Sequence, residues 1–307
     1  MGQKVTILGC GNVGTTLAYT LLTRELADEI VLVNRTPERA EGEAADLRHA
    51  AAFAQRKMRI TAGSVEESRG SDVVAITASI SVPGPAPDRM AFADGNLGIM
   101  REWIPSLAAA SPDAVFVVVS NPVDVMTFVV GRLSGLPSRQ IIGTGTLIDS
   151  GRWRSLMSDH LQIHPDDVRA YILGEHGETQ FPALSVAATG GQRLDSGPIH
   201  RTLFEQARQA GAEVYRRKGY TNFAIGQATA MIIASILLDS RRTLPVSVLL
   251  DDWFGVSDVC LSVPAIIGRR GVLRQLRPQL TPDEIEQLRT SAKHVRGVLD
   301  RLSPAAG

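Results

Sequence analysis

The 307-residue sequence predicts an α/β fold: a doubly wound parallel sheet with helices on both faces, followed by a smaller α+β unit. Three observations carry this. Short, nearly all-apolar β-rich runs alternate with helical patterns through the first half. One example is Val-Phe-Val-Val-Val at 115–119, and strands of that kind are covered on both faces. The first run leads directly into Gly9-Cys-Gly-Asn-Val-Gly14 and then a helical pattern. After Asp149 strict alternation gives way to short β-rich pieces and long helices. The predicted units are residues 1–146 and 147–307.

In order, strands are expected at Val5–Leu8, Glu29–Val33, Met58–Thr61, Asp72–Thr77, Val115–Val119 and Gln140–Ile142. Helices are expected between them at Asn12–Arg24, Pro37–Ala50, Gly95–Ala109 and Val123–Leu133. The Pro- and Gly-rich stretch Ser79–Asp88 reads as a loop, since helical pattern resumes just after it. In the second unit, Val168–Leu173 and Ala183–Ala188 are β-rich, and one long helical pattern runs from about Leu203 to Leu238. Val246–Leu250 and Cys260–Val263 follow. Thr281-Pro-Asp-Glu284 then opens a last helix toward Leu302, with Thr as cap, Pro at the first helical position and Glu reaching back.

Composition narrows the function classes. With 44% hydrophobic and 21% charged residues and zero net charge, the chain has no electrostatic case for nucleic acid or an anionic membrane. No apolar run reaches membrane-spanning length, and Met-Gly-Gln-Lys enters a strand with no leader pattern before it. Cys10 and Cys260 show no Cys-x-x-Cys spacing, so neither a disulfide framework nor a zinc site is expected, and the expected location is a reducing cytoplasm.

Gly9, Gly11 and Gly14 form G-x-G-x-x-G between a strand and a helix. This spacing permits a tight turn, close backbone approach to a pyrophosphate and a helix N-terminus that attracts phosphate. With Asn12 and Val13 inside it, the motif predicts a Rossmann-type dinucleotide site. The acid that holds the ribose hydroxyls of NAD normally stands about twenty residues on. Asn34 stands there instead, followed by Arg35 and Thr36. An amide does not repel a 2′-phosphate and Arg35 can pair with one, so NADP is expected, with NAD as the alternative. The run Asn-Arg-Thr is similar to the NADP-binding turn of shikimate dehydrogenases.

The second informative segment is Tyr171-Ile-Leu-Gly-Glu-His-Gly-Glu178, which puts a histidine between glycines, with little bulk beside a group able to move a proton at neutral pH. Other motifs follow in a fixed order: Pro87-Asp-Arg89, Val119-Ser-Asn-Pro-Val-Asp124, Gly143-Thr-Gly-Thr-Leu-Ile-Asp-Ser-Gly-Arg152, Lys218-Gly-Tyr-Thr221 and Ser262-Val-Pro264. This order resembles the lactate/malate dehydrogenase superfamily over essentially the whole chain. The nearer resemblance is to L-2-hydroxyisocaproate dehydrogenases, through Ile-Gly-Thr-Gly-Thr-Leu at 142–147, Lys-Gly-Tyr-Thr at 218–221 and Pro-Ala-Ile-Ile-Gly-Arg at 264–269.

The resemblance implies hydride transfer between a nicotinamide cofactor and a 2-oxo or L-2-hydroxy monocarboxylic acid. It makes His176 the proton donor, oriented by Asp149, and Arg152 the bidentate partner of the substrate carboxylate. Arg89 would polarise the carbonyl from a closing loop. Asn121 would orient the carbonyl and the nicotinamide ribose, Thr221 would lie near the substrate, and Ile225 would pack on the nicotinamide. Taken singly, Asp149 also reads as a helix N-cap and Asn121-Pro122 as a plain turn.

No Lys or Arg lies between Gly70 and Arg89, so the extra arginine that malate dehydrogenases use for a second carboxylate is missing. Val82, Pro83 and Gly84 stand near the place of the glutamine typical of lactate dehydrogenases. A branched or larger substrate side chain is therefore expected, with L-lactate dehydrogenase proper and a non-catalytic nucleotide sensor as alternatives. An NAD-dependent glycosidase would need a Cys–His metal site, and short-chain dehydrogenase chemistry needs Tyr-x-x-x-Lys; neither pattern is present. Relatives imply a homo-oligomer, tetramer or dimer. Arg154 and Arg169 stand where fructose-bisphosphate-activated lactate dehydrogenases place an interface anion site.

Overall fold

The computed structural model describes residues 2–80, 89–194 and 197–302, with the backbone alone for residues 89–91. Six strands form the parallel part of the main sheet: β1 (Lys4–Leu8), β2 (Glu29–Val33), β3 (Arg59–Gly63), β4 (Val73–Ile76), β5 (Val115–Val118) and β6 (Ile141–Gly143). They run in the order β3-β2-β1-β4-β5-β6, so the chain reverses direction across the sheet between β1 and β4. A crevice beyond the strand C-termini at such a reversal is where open α/β sheets bind ligands.

The connecting helices are α1 (Asn12–Thr23), α2 (Pro37–Ala51), α3 (Arg89–Ala110) and α4 (Val123–Ser134). In the second half come α5 (Leu147–Leu161) and three strand pieces, β7 (Val168–Arg169), β8 (Ile172–Leu173) and β9 (Phe181–Pro182). The β10–β11 hairpin (Ala188–Thr189, Gln192–Arg193) leads into α6 (Pro198–Lys218) and α7 (Phe223–Leu237). The strands β12 (Arg242–Leu249), β13 (Cys260–Gly268) and β14 (Gly271–Gln275) precede α8 (Pro282–Leu302). Strands β12 to β14 extend the main sheet antiparallel beyond β6, making nine strands. The helices α1, α2 and α7 form one layer and α3, α4 and α8 the other.

The strands are legible because their residues are apolar on both faces, and β2, β4 and β5 are buried almost end to end. One large core runs through the nine-stranded sheet and its helices. A second, smaller core built on Trp153, Met157, Ile172, Leu203 and Phe204 fills the space between α5, α6 and the small sheets.

Several expectations are corrected. The long helical pattern at 203–238 is two helices, because Gly219 takes φ +84°, a left-handed value that ends α6. The 183–188 stretch is mostly a 3-10 turn at Leu184–Val186, and Val168–Leu173 bends to serve two sheets. α3 starts at Arg89, earlier than Gly95. At the last helix the capping box is present: the Thr281 N–H donates to Glu284 Oε2 at 2.8 Å, and the Glu284 N–H donates to Thr281 Oγ1 at 3.3 Å. The expected loop at 79–88 lies, after Ile80, outside the described residues.

Candidate active site

His176 stands on the turn after β8, and its surroundings explain the glycine before it. Gly174 has φ +89°, and a Cβ there would reach Ser291 Oγ at 2.5 Å, so only glycine fits. The same residue exchanges both backbone hydrogen bonds with Ser262 of β13, at 3.0 and 2.9 Å, which fixes the turn to the main sheet. The turn leaves about a quarter of the His176 side chain open to the cleft.

Asp149 and Arg152 lie one turn apart at the start of α5, so both face the same side of that helix. Asp149 is 1% exposed. Its Oδ2 lies 2.5 Å from His176 Nδ1, and its Oδ1 accepts from Arg152 Nη1 at 3.1 Å. Thr146, not Asp149, occupies the N-cap position of α5, and its hydroxyl donates to the Ile172 carbonyl at 2.5 Å. The Asp149 carboxylate is thus wholly committed to the two cations. Burial by itself would raise its pKa, but the charge and hydrogen bond of His176, followed by those of Arg152, outweigh burial and hold it below the usual carboxylate value. Burial likewise opposes the charge on His176, yet Asp149 and, more weakly, Asp124 lift it above the usual histidine value. With Nδ1 on Asp149, Nε2 is left without a hydrogen-bond partner among the described residues.

Arg152 owes its placement to a residue on another helix. Gly211 of α6 lies against the guanidinium, which fills the place of a side chain there: a Cβ would come within 3.1 Å of Nη1. Single-sequence reasoning missed Gly211, because a glycine inside a helical pattern carries only a weak signal.

Asp124, in the first turn of α4, belongs to the site although its sequence motif does not point to a role for it. It is 2% exposed, its Oδ2 accepts the His176 backbone N–H at 2.7 Å, and its Oδ1 accepts Ser247 Oγ at 2.6 Å. Burial pushes its pKa up to about 7 against those two bonds. Ser247 arrives there because β12 crosses β6 at Gly143, whose missing side chain allows the approach. A carboxylate within the apolar run Val-Asp-Val-Met was the available signal for Asp124. Asn121 caps the end of β5 with an exposed side chain, before a cis peptide to Pro122. Its carbonyl accepts Asn96 Nδ2 at 2.6 Å, and Asn96 Oδ1 also accepts the Ile80 N–H at 2.8 Å, so this buried amide ties α3 to two cleft edges. Thr221 and Ile225, both half-buried, stand at the α6–α7 turn and the start of α7. The side chain of Arg89 and residues Val82 to Gly84 lie outside the described residues.

At the opposite wall, Gly11 sits at the N-cap position of α1 with open space where a Cβ would be, while a Cβ at Gly14 would strike the Gly9 carbonyl. The first is what a pyrophosphate approaching Asn12 and Val13 requires; the second is close strand–helix packing. Asn34 stands at the end of β2, but its amide is turned to the chain: Oδ1 accepts the Cys10 N–H at 3.2 Å and Nδ2 donates to the Thr36 carbonyl at 3.1 Å. Arg35 is exposed and unpartnered among the described residues. The residues present fit a dinucleotide. Among the described residues no cluster of His, Cys, Asp or Glu has the grouping of a metal site. The Arg154 guanidinium feels the charge of Asp166 more strongly than those of Arg169 and Arg242, and its Nε is buried and unpaired among the described residues.

Two family models match nearly the whole chain: the lactate/malate dehydrogenase NAD binding domain over residues 3–143 and the lactate/malate dehydrogenase alpha/beta C-terminal domain over residues 146–303. The chain belongs to the lactate/malate dehydrogenase family. It is 43% identical over 304 residues to L-lactate dehydrogenase A of Hordeum vulgare, covering 94% of this chain and 85% of that one. It is 41% identical over 305 residues to the L-lactate dehydrogenase of Salinibacter ruber, covering 96% of each. The crystal structure of the minor L-lactate dehydrogenase of Enterococcus mundtii superposes with a TM-score of 0.93 at 33% identity, over 97% of this chain and 98% of that one. Family membership makes this chain an oxidoreductase that uses a nicotinamide cofactor, and the matching model is described as NAD-binding. The expected preference for NADP has no support in these likenesses, and neither has a branched substrate. No helix among the described residues is long and apolar enough to cross a membrane.

Proposed function

We propose that this protein interconverts a 2-oxo monocarboxylic acid and the corresponding L-2-hydroxy acid with NAD, and that pyruvate and L-lactate are the pair. The names of the relatives support the substrate. The chemistry rests on one observation: a single buried carboxylate, Asp149, holds His176 Nδ1 and Arg152 Nη1 at once. In that arrangement His176 carries its transferable proton on Nε2, facing the cleft, and delivers it to the carbonyl oxygen as the alcohol forms. In reverse the neutral ring takes the proton from the hydroxyl. Asp149 keeps the proton-bearing tautomer in place and stabilises the imidazolium. Arg152 takes the substrate carboxylate with its remaining N–H groups, fixing which face of the carbonyl is presented.

Gly9, Gly11, Asn12, Val13 and Gly14 would hold the dinucleotide phosphates, with Asn34 and Arg35 beside its adenosine end, and Asn121 and Ile225 beside its nicotinamide end. When bound, the nicotinamide supplies or accepts the hydride. Arg89 would meet the carbonyl oxygen and Thr221 the substrate side chain. We assign the working protein to a homo-oligomer, and light scattering in solution reads its mass directly.

A second reading, in which longer 2-oxo acids are also accepted, rests on the sequence alone: no Lys or Arg lies between Gly70 and Arg89, and Val82, Pro83 and Ala86 give that segment apolar character. Each buried methylene stabilises by about 0.8 kcal/mol, so a site that buried all three extra carbons would favour 2-oxoisocaproate over pyruvate by roughly 60-fold. The test is loss of reduced-nicotinamide absorbance with pyruvate, 2-oxoisocaproate and oxaloacetate, each with NADH and with NADPH. Highest kcat/KM for pyruvate with NADH supports the proposal, and highest kcat/KM for oxaloacetate refutes it.

A further inference from the structure

The turn between α6 and α7 contains an asparagine whose amide is spent in an unusual direction. Asn222 is 8% exposed and stands at the N-cap position of α7, yet its side chain makes no capping bond to that helix. An asparagine at an N-cap ordinarily satisfies one of the free N–H groups of its own helix. Here Oδ1 accepts Lys218 Nζ at 2.5 Å and Nδ2 donates to Thr16 Oγ1 at 2.8 Å. Thr16 Oγ1 has one proton, which it donates to the Asn12 carbonyl at 2.6 Å. The polarity of the chain is therefore fixed from end to end: Lys218 to Asn222 to Thr16 to the Asn12 backbone.

One end of this chain lies at the proposed site, and its middle member adjoins the residues proposed to line it. Asn12 is the first residue of α1, beside the open face of Gly11. Thr221 is the residue before Asn222, and Ile225 lies one turn further. The helices are in direct contact at this point, since a Cβ at Gly226 would lie 2.8 Å from Thr16 Cγ2. On the far side, the Lys218 ammonium lies 4.4 Å from the centre of the Tyr220 ring and 4.0 Å from that of Phe223, which is 70% exposed. The turn 218–222 is thus largely open to solvent, and Asn222 is its buried anchor to the cofactor helix.

We propose that Asn222 and Thr16 are positioning residues that couple dinucleotide binding at the start of α1 to the α6–α7 turn carrying Thr221, which would meet the substrate side chain. This rests on the dehydrogenase reading above. Ligand that firms the first turn of α1 holds the Asn12 carbonyl and Thr16 in place. That orders Asn222 and with it Thr221, so the cofactor complex takes the 2-oxo acid more tightly than a protein lacking the link. Coupling of this kind is reciprocal and typically changes affinity about 5- to 150-fold.

The test uses the full chain with Thr16→Val, Thr16→Ser, Asn222→Ala and the Thr16→Val/Asn222→Ala double variant. Readouts are NADH Kd by fluorescence, KM and kcat for pyruvate and for 2-oxoisocaproate at saturating NADH, and Tm. Expected are a rise in KM of roughly five- to ten-fold for Thr16→Val and Asn222→Ala, with kcat and the Kd of NADH alone near wild type. Thr16→Ser, which keeps the hydroxyl, should restore the wild-type KM, and the double variant should be no worse than the poorer single, because both cut one link. Unchanged KM in both single variants, whatever happens to Tm, overturns the proposal, as do single effects that multiply in the double variant. Wild type that reduces neither acid overturns the dehydrogenase reading itself, whereas wild-type turnover with insensitive variants overturns only the coupling.

Discussion

Replacing Asp149 by Asn is the most demanding test of the site, because it changes one atom's identity and almost no volume. The carboxylate is 1% exposed and serves two cations, with Oδ2 2.5 Å from His176 Nδ1 and Oδ1 3.1 Å from Arg152 Nη1. An amide keeps one acceptor and presents a donor where a second acceptor was, so either His176 or Arg152 faces an N–H. Removing one partner of a buried charge pair costs about 3–5 kcal/mol. If that falls on the transition state, where His176 and the substrate carboxylate are both engaged, kcat/KM drops by about 10²- to 10⁴-fold at 1.36 kcal/mol per tenfold.

The pH profile should move with it. In the wild type, Asp149 keeps His176 protonated above its usual pKa, so reduction of the 2-oxo acid persists to higher pH than an imidazole without that partner would allow. Without that charge burial dominates, the imidazolium is lost at lower pH, and the alkaline limb of kcat/KM for reduction shifts toward acid. The assay is steady-state reduction of pyruvate at saturating NADH across the neutral range, with Tm recorded beside it. A variant within about fivefold of wild type, with an unmoved alkaline limb, would refute the role given to Asp149.

Three further outcomes follow from the same geometry. Asp124 titrates at about 7 in the folded protein, above the ordinary carboxylate value, so the folded state holds its proton more tightly than the unfolded one. Stability from this group is present under acidic conditions and is lost as pH rises toward neutral. Asp124→Asn should flatten that fall in a Tm-versus-pH series, and Asp124→Ala, which strands the His176 N–H and the Ser247 hydroxyl, should destabilise by about 1–3 kcal/mol in urea titrations. An unchanged pH series in Asp124→Asn would count against a titrating Asp124. Gly211→Ala should crowd the Arg152 guanidinium and raise KM for the 2-oxo acid by about tenfold or less, with kcat and Tm less affected; an unchanged KM contradicts the contact. Arg35→Ala should weaken NADPH by about tenfold while leaving NADH untouched, since a solvent-facing guanidinium–phosphate bond contributes about 1–3 kcal/mol. Equal kinetic constants for NADPH in both proteins would make Arg35 a solvated residue only.

Much of the molecule is readable from neighbouring residues. The strand–glycine–helix run at 4–14, the apolar strands and the capping box at Thr281 are each set by residues within a few positions of one another, where backbone geometry and solvent patterning act directly. The break at Gly219 escaped that logic because apolar periodicity continues on both sides of a residue whose left-handed φ decides the matter. From its neighbours Asn34 reads as a cofactor contact, and only the fold shows that its amide holds Cys10 and Thr36. The glycines around His176 mark it as a group able to move a proton, while its role as donor and that of Arg152 as carboxylate partner come through resemblance to a family.

What the sequence by itself determined is the order of elements, the doubly wound class and the dinucleotide turn, all products of local conformational preference and burial period. What only the tertiary structure decided is which polar groups meet. Asp149 meets His176 across 27 residues, Asp124 meets it across 52 and Ser247 across 123, and Asn222 reaches Thr16 across 206. A polar group removed from water must find a partner, and which partner it finds depends on how helices and strands far apart in the chain are packed around it.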